Sequence, residues 1–295
     1  MEFYDGSLWQ EITDTASTYV SGLIPSANFN TVIYSNPGLS TPISVGFGPD
    51  MVLFKESNGT NSWQLYDTVR GDDYALYTND SQAQYNYSTH SNGDLSPTIT
   101  STGFTTPPVT NNGINNSSNF VSYSWKAGGS SNTFNKNGTG YSTASAAGLT
   151  GESNVTIQGS SINTETGISI IKTLAGSGSG ETVPHGLGTQ PELIISKPLN
   201  ASINWYTFTP ILNNGSTSSY TGWNFLFLDT NAAKTASGLV YASNTHIYDD
   251  WASGRNVIYY SFISIPGYSK IGFYVGNGST TGPEIYTGFK PAFII

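Results

Sequence analysis

The side chains best suited to chemistry are two pairs of adjacent acids, each followed by an aromatic residue. The two groups are Asp72-Asp73-Tyr74 and Asp249-Asp250-Trp251. Carboxylates can bind sugar hydroxyls or a hard cation such as calcium, and a neighbouring ring can stack on a sugar. The second group is the stronger candidate for such a contact. The alternative interpretation is that these acids are solvated loop residues, which are common on protein surfaces.

Three further aromatic residues, Tyr85, Tyr87 and Trp223, are candidates for the same kind of contact. Other aromatic residues recur at matched positions along the chain and are therefore assigned to cores, but these three have no clear counterpart. We therefore expect them to be exposed and available to a ligand.

Enzymatic chemistry has little support in the sequence. Hydrolysis of a glycosidic bond needs two carboxylates that converge on one site, whereas neighbouring residues of a strand point to opposite faces. His90, His185 and His246 lack a metal-binding spacing, there is no cysteine, and no Gly-x-Ser-x-Gly sequence occurs. The sequence predicts no catalytic residue, no metal and no cofactor, and it gives His185 a structural role in a turn.

The elements that hold these residues come from an internal repeat. A glycine, then Phe or Leu, then a proline leads into an apolar strand at three places. In the first two copies a Trp follows the proline at the same distance, and a similar phrase ends in Trp125 or Phe262. The repeat residues are Gly46, Phe47, Pro49, Trp63, Trp125, Gly186, Leu187, Pro191, Trp205, Phe262, Gly288, Phe289 and Pro291. Fixed repetition predicts an array of like modules.

Short β-branched or aromatic segments bounded by Gly, Pro, Asn or Ser predict an all-β fold of antiparallel sandwich modules. The predicted strands include 31–34, 51–54, 120–123, 168–171, 193–195, 257–260 and 271–275, and residues 231–236 could form one helical turn. The predicted organisation is a lead-in at 1–29, module one at 30–126, a linker or extended strand arm at 127–166, module two at 167–265, and the opening hairpin of a third unit at 266–295.

Composition narrows the possible partners. Charged residues make up 10% of the chain and the net charge is −9, which argues against nucleic acid and anionic membranes because both require clustered cations. Aromatic residues make up 13%, which is ample material for a core and argues against disorder. No apolar run is long enough to span a bilayer, so the sequence predicts no membrane insertion.

Several phrases of the repeat resemble a family of tail and surface proteins of marine bacteriophages. They are Gly46-Phe47-Gly48-Pro49-Asp50, Leu65 to Gly71, Asp94 to Phe104, Tyr123 to Gly129, His185 to Gly188 with Pro191 and Lys197, and the junction from Pro266 through Gly276-Asn277-Gly278-Ser279 to Ala292. The resemblance covers about residues 30–295. It implies concanavalin- or jelly-roll-like β-sandwich modules in a virion protein, without enzymatic activity. The Asp-Thr-Val-Arg-Gly phrase around Asp67 and Arg70 is missing from module two, so a role of those residues should not extend there.

These observations favour a structural protein of a phage particle, located in a tail fibre or another surface appendage. Its expected partners are further copies of itself, other virion proteins and host surface glycans. Two alternatives stay open, a glycan-binding recognition module and a polysaccharide depolymerase. The structural role and glycan binding are compatible with each other, because weak contacts at exposed loops are multiplied by copy number in an assembly.

Overall fold

A computed structural model describes residues 23–111, 113–176, 180–213, 222–236 and 240–295, together with the backbone of two N-terminal strands at 2–4 and 9–11. Regular secondary structure among the described residues consists almost entirely of short strands. The strands up to residue 125 are β1 Glu2–Tyr4, β2 Trp9–Glu11, β3 Phe29–Ser35, β4 Pro42–Ser44, β5 Met51–Glu56, β6 Gln64–Asp67, β7 Tyr74–Tyr77, β8 Tyr85–Asn86, β9 Thr98–Thr100, β10 Gly103–Thr105 and β11 Asn119–Trp125.

The remaining strands are β12 Phe134–Lys136, β13 Thr139–Tyr141, β14 Val155–Asn163, β15 Ile168–Ala175, β16 Glu181–Pro184, β17 Leu193–Pro198, β18 Tyr206–Phe208, β19 Asn224–Phe227, β20 Thr235–Ala236, β21 Tyr241–Ala242, β22 His246–Asp249 and β23 Asn256–Phe262. Two short 3-10 helices cover Pro25–Ala27 and Pro210–Asn213. The predicted all-β fold is confirmed, and its sheets are antiparallel apart from the parallel pairing of β12 with β14.

The strands form two units with the same sheet order. In the first unit, the order is β3-β11-β5-β6-β7-β8, and a small sheet β4-β10-β9 accompanies it. In the second unit, β15-β23-β17-β18-β19-β20 repeats the large sheet and β16-β22-β21 repeats the small one. The second large sheet is extended at its β15 edge by β14, β12 and β13. The segment 127–166, for which the sequence left a linker or a strand arm open, thus contributes three strands to this sheet.

Strand register and side-chain contacts follow the repeat as well. Trp63 and Trp205 each donate their backbone N–H to a side-chain oxygen, of Asn79 and Asp229 respectively, and both distances are 3.1 Å. The ring of Trp63 stacks on Tyr123 at 6.3 Å, and the matched stack of Trp205 on Tyr260 is 6.4 Å. Trp63 and Trp205 therefore occupy equivalent places in the two units.

The backbone conformation explains why the repeat has a glycine at this position. Gly46, Gly186 and Gly288 have φ angles of 94°, 71° and 84°, a region that disfavours every residue with a Cβ. The residue after it, Phe47 or Leu187, is then buried in the core of its own unit. Gly46 and Gly186 thus turn the chain so that the next apolar side chain enters the core, whereas Phe289 after Gly288 is half-buried.

Each large sheet is apolar on both faces because its strands contain consecutive apolar residues, and successive side chains of a strand point to opposite faces. In β5, Val52 and Phe54 face the small sheet of the first unit, while Met51 and Leu53 face the second unit. The same alternation places Ile194 in the second unit's own core and Ile195 between the units. We call the shared layer the joint; it consists of Met51, Leu53, Leu65, Leu76, Ala127, Ile168, Ile170, Ile195, Leu199, Trp205, Ile258 and Tyr260. The two units are therefore packed face to face through matched surfaces.

A buried ion pair lies at the edge of this joint. Arg70 Nε donates to Asp67 Oδ2 at 2.6 Å, and both side chains are fully buried. The hydroxyl group of Tyr260, from the second unit, donates to the same carboxylate oxygen at 2.6 Å. The Asp-Thr-Val-Arg-Gly phrase found only in the first unit thus joins the two units.

Two strand or helix predictions are wrong. Residues 231–236 contain β20 at their end and no helical turn, because Thr235 pairs with Phe225 in the sheet. Residues 271–275 form no strand, although the equivalent β3 and β15 do. Those two strands pair with β11 and β23, whereas no strand among the described residues pairs with 271–275. Phe273 stays 74% exposed as a result.

Candidate functional site

The structure separates the residues that the sequence grouped as ligand contacts. Trp223, expected to be exposed, is completely buried: it directly precedes β19 and packs in the core of the second unit. Asp249, expected in a loop, ends β22 and is 6% exposed. Asp250 is exposed, and Trp251 is half-buried with its ring 5.3 Å from that of Tyr206. These residues do not form one surface site.

Asp249 takes part in a buried pair of carboxyl groups. It lies directly opposite Glu181 across β16 and β22, and its Oδ2 accepts a hydrogen bond from the Tyr259 hydroxyl at 3.0 Å. Burial raises the pKa of Asp249 to about 6 and that of Glu181 to about 7, where the nearby charge of Asp249 adds to the effect. The pair is enclosed by the core, so its chemistry is proton exchange and not contact with a large ligand.

The first unit has no such pair. Thr41 and Thr106 stand at the matched positions, and the Thr41 N–H donates to the Thr106 hydroxyl at 2.8 Å. The fold therefore forms without carboxyl groups at this place, and the acidic pair is a property of the second unit alone.

Tyr85 is exposed on the surface of the first unit, as expected, whereas Tyr87 is half-buried. Tyr85 is 45% exposed, and its ring centre is 4.9 Å from that of Tyr87. The His90 ring completes the cluster, 6.1 Å from Tyr85 and 6.2 Å from Tyr87. The Tyr87 hydroxyl is hydrogen-bonded to that of Tyr77, which fixes its ring. The three rings thus form an aromatic cluster that is held in place by the hydrogen bond to Tyr77.

This aromatic cluster borders a polar cleft of about 480 Å³. The cleft lies at the start of β6 and the end of β7, where three loops of the first unit meet. Its walls are formed by Asn61, Ser62, Gln64, Tyr77, Asp80, Gln82, Tyr87, His90, Asn92, Leu95, Thr110, Asn111 and Gly113. Aromatic rings, amides, hydroxyls and a carboxylate thus converge on one concave surface.

The floor of the cleft is rigid. Gln64 and Asn111 are buried and exchange two hydrogen bonds, of 3.0 and 3.2 Å. The Tyr66 hydroxyl donates to Gln64 Oε1 at 2.9 Å, which fixes the orientation of the amide. Gly113 permits this arrangement, since a Cβ there would lie 2.1 Å from Gln64 Nε2. Fixed amides lose little entropy when a ligand binds.

The rim supplies further hydrogen-bonding groups. Gln82 donates through its backbone and side-chain nitrogens to the two oxygens of Asp80, each at 3.0 Å. His90 Nδ1 accepts the Asn92 N–H at 3.1 Å, so the neutral ring carries its proton on Nε2 and presents a donor. Among the described residues that line the cleft, none is Lys or Arg. Such a surface suits a neutral, hydroxyl-rich ligand better than an anion.

A larger cavity of about 1510 Å³ lies where the C-terminal segment crosses the joint. Its walls include Met51, Leu53 and Trp205, which are core residues, and Phe293 covers it by packing on Tyr123 at 4.8 Å. Specific binding depends on a few precisely placed polar groups. The smaller cleft has them, so it is the better candidate site.

His185 has a structural role in the second unit. His185 is fully buried, and its pKa is lowered to about 4 by burial. Its Nδ1 accepts the Leu187 N–H at 3.3 Å, as suits the expected turn. Within the described part of the chain, no three His, Asp or Glu side chains lie close enough to hold a metal ion. No helix in that part is both long and apolar enough to cross a membrane.

Of the residues that line the cleft, sequence reasoning proposed only Tyr87 as a ligand contact; Tyr85 stands beside the cleft and does not line it. Asp80 and Gln82 stand in a polar turn after β7, and Gln64 and Asn111 are far apart in the chain. The one available signal was that the polar turn 79–82 lies next to unmatched tyrosines.

The chain belongs to a family described as a domain of unknown function, DUF7483, whose profile matches residues 24–295. The match covers both units and the C-terminal segment. Comparison with curated proteins gave no match, and comparison with solved structures gave none either.

Proposed function

We propose that this chain is a non-enzymatic structural protein of a phage particle, part of a tail fibre or surface appendage, and that the polar cleft of its first unit binds a neutral sugar of the host surface. The structural role is supported by the resemblance of the repeat to phage tail and surface proteins. It is also supported by two like units packed into one body. By the same resemblance, we infer that each unit is a concanavalin- or jelly-roll-like sandwich.

The observation that carries the sugar-binding proposal is the convergence of fixed amides and clustered aromatic rings on one cleft. A sugar ring offers C–H groups to the aromatic face of Tyr87 and hydroxyl groups to Gln64, Asp80 and Gln82. The net charge of −9 and the carboxylate of Asp80 disfavour acidic ligands.

Binding without hydrolysis is the better-supported activity. A glycosidase needs two carboxyl groups flanking the bond to be broken. Asp80 is the single acid lining the described cleft, and its oxygens are engaged by Gln82. Glu181 and Asp249 are enclosed in the second unit and belong to a different site.

Weak sugar binding becomes effective when many copies act together, since the second and later contacts are intramolecular. The C-terminal segment supports self-association, because Phe273, Val275 and Tyr286 are each more than two-thirds exposed. We infer that further copies of the chain and other virion proteins are its partners, as expected for a protein located in the virion.

We expect a glycan array to show binding of neutral oligosaccharides by the intact chain. Tyr87→Ala and Gln82→Ala should each weaken binding by about tenfold, because each removes a stacking or hydrogen-bonding group worth about 1.4 kcal/mol. Gln82 is exposed, so its replacement leaves the fold intact. Tyr274→Ala, an exposed tyrosine outside the cleft, is the matched control and should bind normally. Equal binding by all four proteins, or none by the intact chain, would contradict the sugar-binding proposal.

The structural role has its own test. Antibodies against the chain, coupled to gold, should label a regular set of positions on the surface of intact phage particles in electron micrographs. Label confined to host lysate, with bare particles, would exclude a virion location.

A further inference from the structure

The loop that carries two cleft residues is held by the second unit. Residues 78–84 follow β7 and include Asp80 and Gln82. The indole N–H of Trp205 donates to the carbonyl oxygens of Tyr77, at 2.8 Å, and Asp80, at 3.2 Å. At the far end of the loop, the Gln84 N–H donates to the Leu199 carbonyl at 3.0 Å. The loop is therefore tied at both ends to the neighbouring unit.

Lys197 supplies a third tie in the middle of the loop. Its ammonium group donates to the carbonyls of Ser81 at 2.9 Å and Ile203 at 2.5 Å, and it reaches Ala201 at 3.5 Å. The side chain is fully buried, and hydrogen bonds from a charged donor are stronger than neutral ones. Ser81 lies between the two cleft residues, so this bond fixes the backbone from which both side chains project.

The matched residues of the first unit are used differently. Lys55 stands at the position of Lys197, but its ammonium group donates to Glu56 and Gly59 of its own unit. Trp63 stands at the position of Trp205 and is only half-buried. Of the two matched Lys and Trp pairs, only Lys197 and Trp205 form hydrogen bonds across the joint, and these bonds go to the loop that carries cleft residues.

We propose that Lys197 and Trp205 are positioning residues for the cleft, so that the second unit sets the sugar affinity of the first by fixing loop 78–84. This inference rests on the proposed sugar-binding function. Neither residue lines the described cleft, and both act through backbone carbonyls. Coupling between two sites is reciprocal, so a bound sugar must in turn strengthen the contacts of the loop with the second unit.

The positioning role is tested by hydrogen exchange on the full chain, with no sugar present. Lys197→Met and Trp205→Phe should each speed amide exchange in a peptide covering 78–84 by about tenfold, while peptides of the second large sheet exchange at their usual rate. Trp223→Phe is the matched control for Trp205, because Trp223 is equally buried but its indole N–H has no partner among the described residues. Lys234→Met is the control for Lys197, since Lys234 donates to the Leu212 carbonyl away from the cleft. Unchanged exchange in 78–84, or uniformly faster exchange throughout the chain, would overturn the proposal.

Sugar titration then separates this inference from the proposed function. Both loop variants should lose about tenfold in affinity while the controls keep it. Burial lowers the pKa of Lys197 to about 8, although the negative charges of Asp229 and Asp80 act to raise it. The sugar affinity of the intact chain should therefore fall between pH 7 and pH 9, as Lys197 loses its proton. The affinity of Lys197→Met should not change over this range. If no sugar binds the intact chain, the proposed function fails and the exchange result still decides the role of Lys197 and Trp205. If sugar binds but all variants bind equally, the positioning role fails alone.

Discussion

Replacing Arg70 with methionine is expected to lower the free energy of unfolding by about 3 to 5 kcal/mol, the cost of leaving a buried charge without its partner. The guanidinium group bonds Asp67 at 2.6 Å and also donates to the carbonyls of Tyr74 and Leu65. Removing it leaves the buried Asp67 carboxylate with one side-chain donor among the described residues, Tyr260, beside the backbone N–H groups of residues 69 and 70. Urea unfolding followed by tryptophan fluorescence measures the loss.

Two controls identify the cause of that loss. Arg255→Met removes a half-buried arginine elsewhere and should cost less than about 1 kcal/mol. Asp67→Asn in the Arg70→Met background should recover part of the stability, because the unpaired charge is then gone. A cost for Arg70→Met as small as that for Arg255→Met would show that the ion pair does not stabilise the joint.

The buried pair Glu181 and Asp249 is expected to make the protein about 2 kcal/mol less stable at pH 8 than at pH 5. In the folded state the pKa values are raised to about 7 and about 6, above the usual 4.5 and 3.8. Between pH 4 and pH 7 the folded state therefore binds more protons than the unfolded state. Stability that this pair gives at low pH is lost as the pH rises through about 7.

Glu181→Gln should remove most of this pH dependence and raise the unfolding midpoint at pH 8, since an uncharged amide can donate to Asp249. Thermal unfolding at a series of pH values gives the comparison. Glu165→Gln, a change of the same type at an exposed turn position, should leave the profile of the intact chain unchanged. Stability that rises from pH 5 to pH 8 in the intact chain would contradict the assignment.

The strands and the repeat were accessible to sequence reasoning because both are local. Alternating β-branched and aromatic residues identify β5, β11 and β23, and glycine at a left-handed turn marks the start of each unit. The face-to-face packing was not accessible. Met51 and Ile195 look like ordinary core residues, and only their position in the sheet shows that they face another unit.

Only those parts of the site that depend on local sequence were predictable. Tyr85 is exposed, as expected of an unmatched aromatic residue, but Tyr87 is half-buried and Trp223 fills a core. The cleft joins Gln64 to Asn111 through a contact between distant segments. Its loop is fixed by Lys197 from the other unit, and no local pattern reveals a contact of that separation.

The most direct measurement is a crystal structure of the intact chain with a neutral oligosaccharide selected on the array. We predict one sugar ring against Tyr87, with its hydroxyl groups hydrogen-bonded to Gln82 and Asp80 and loop 78–84 in its unliganded position. Sugar density beside Trp251, or a cleft that stays empty at saturating sugar while binding occurs elsewhere, would contradict the account.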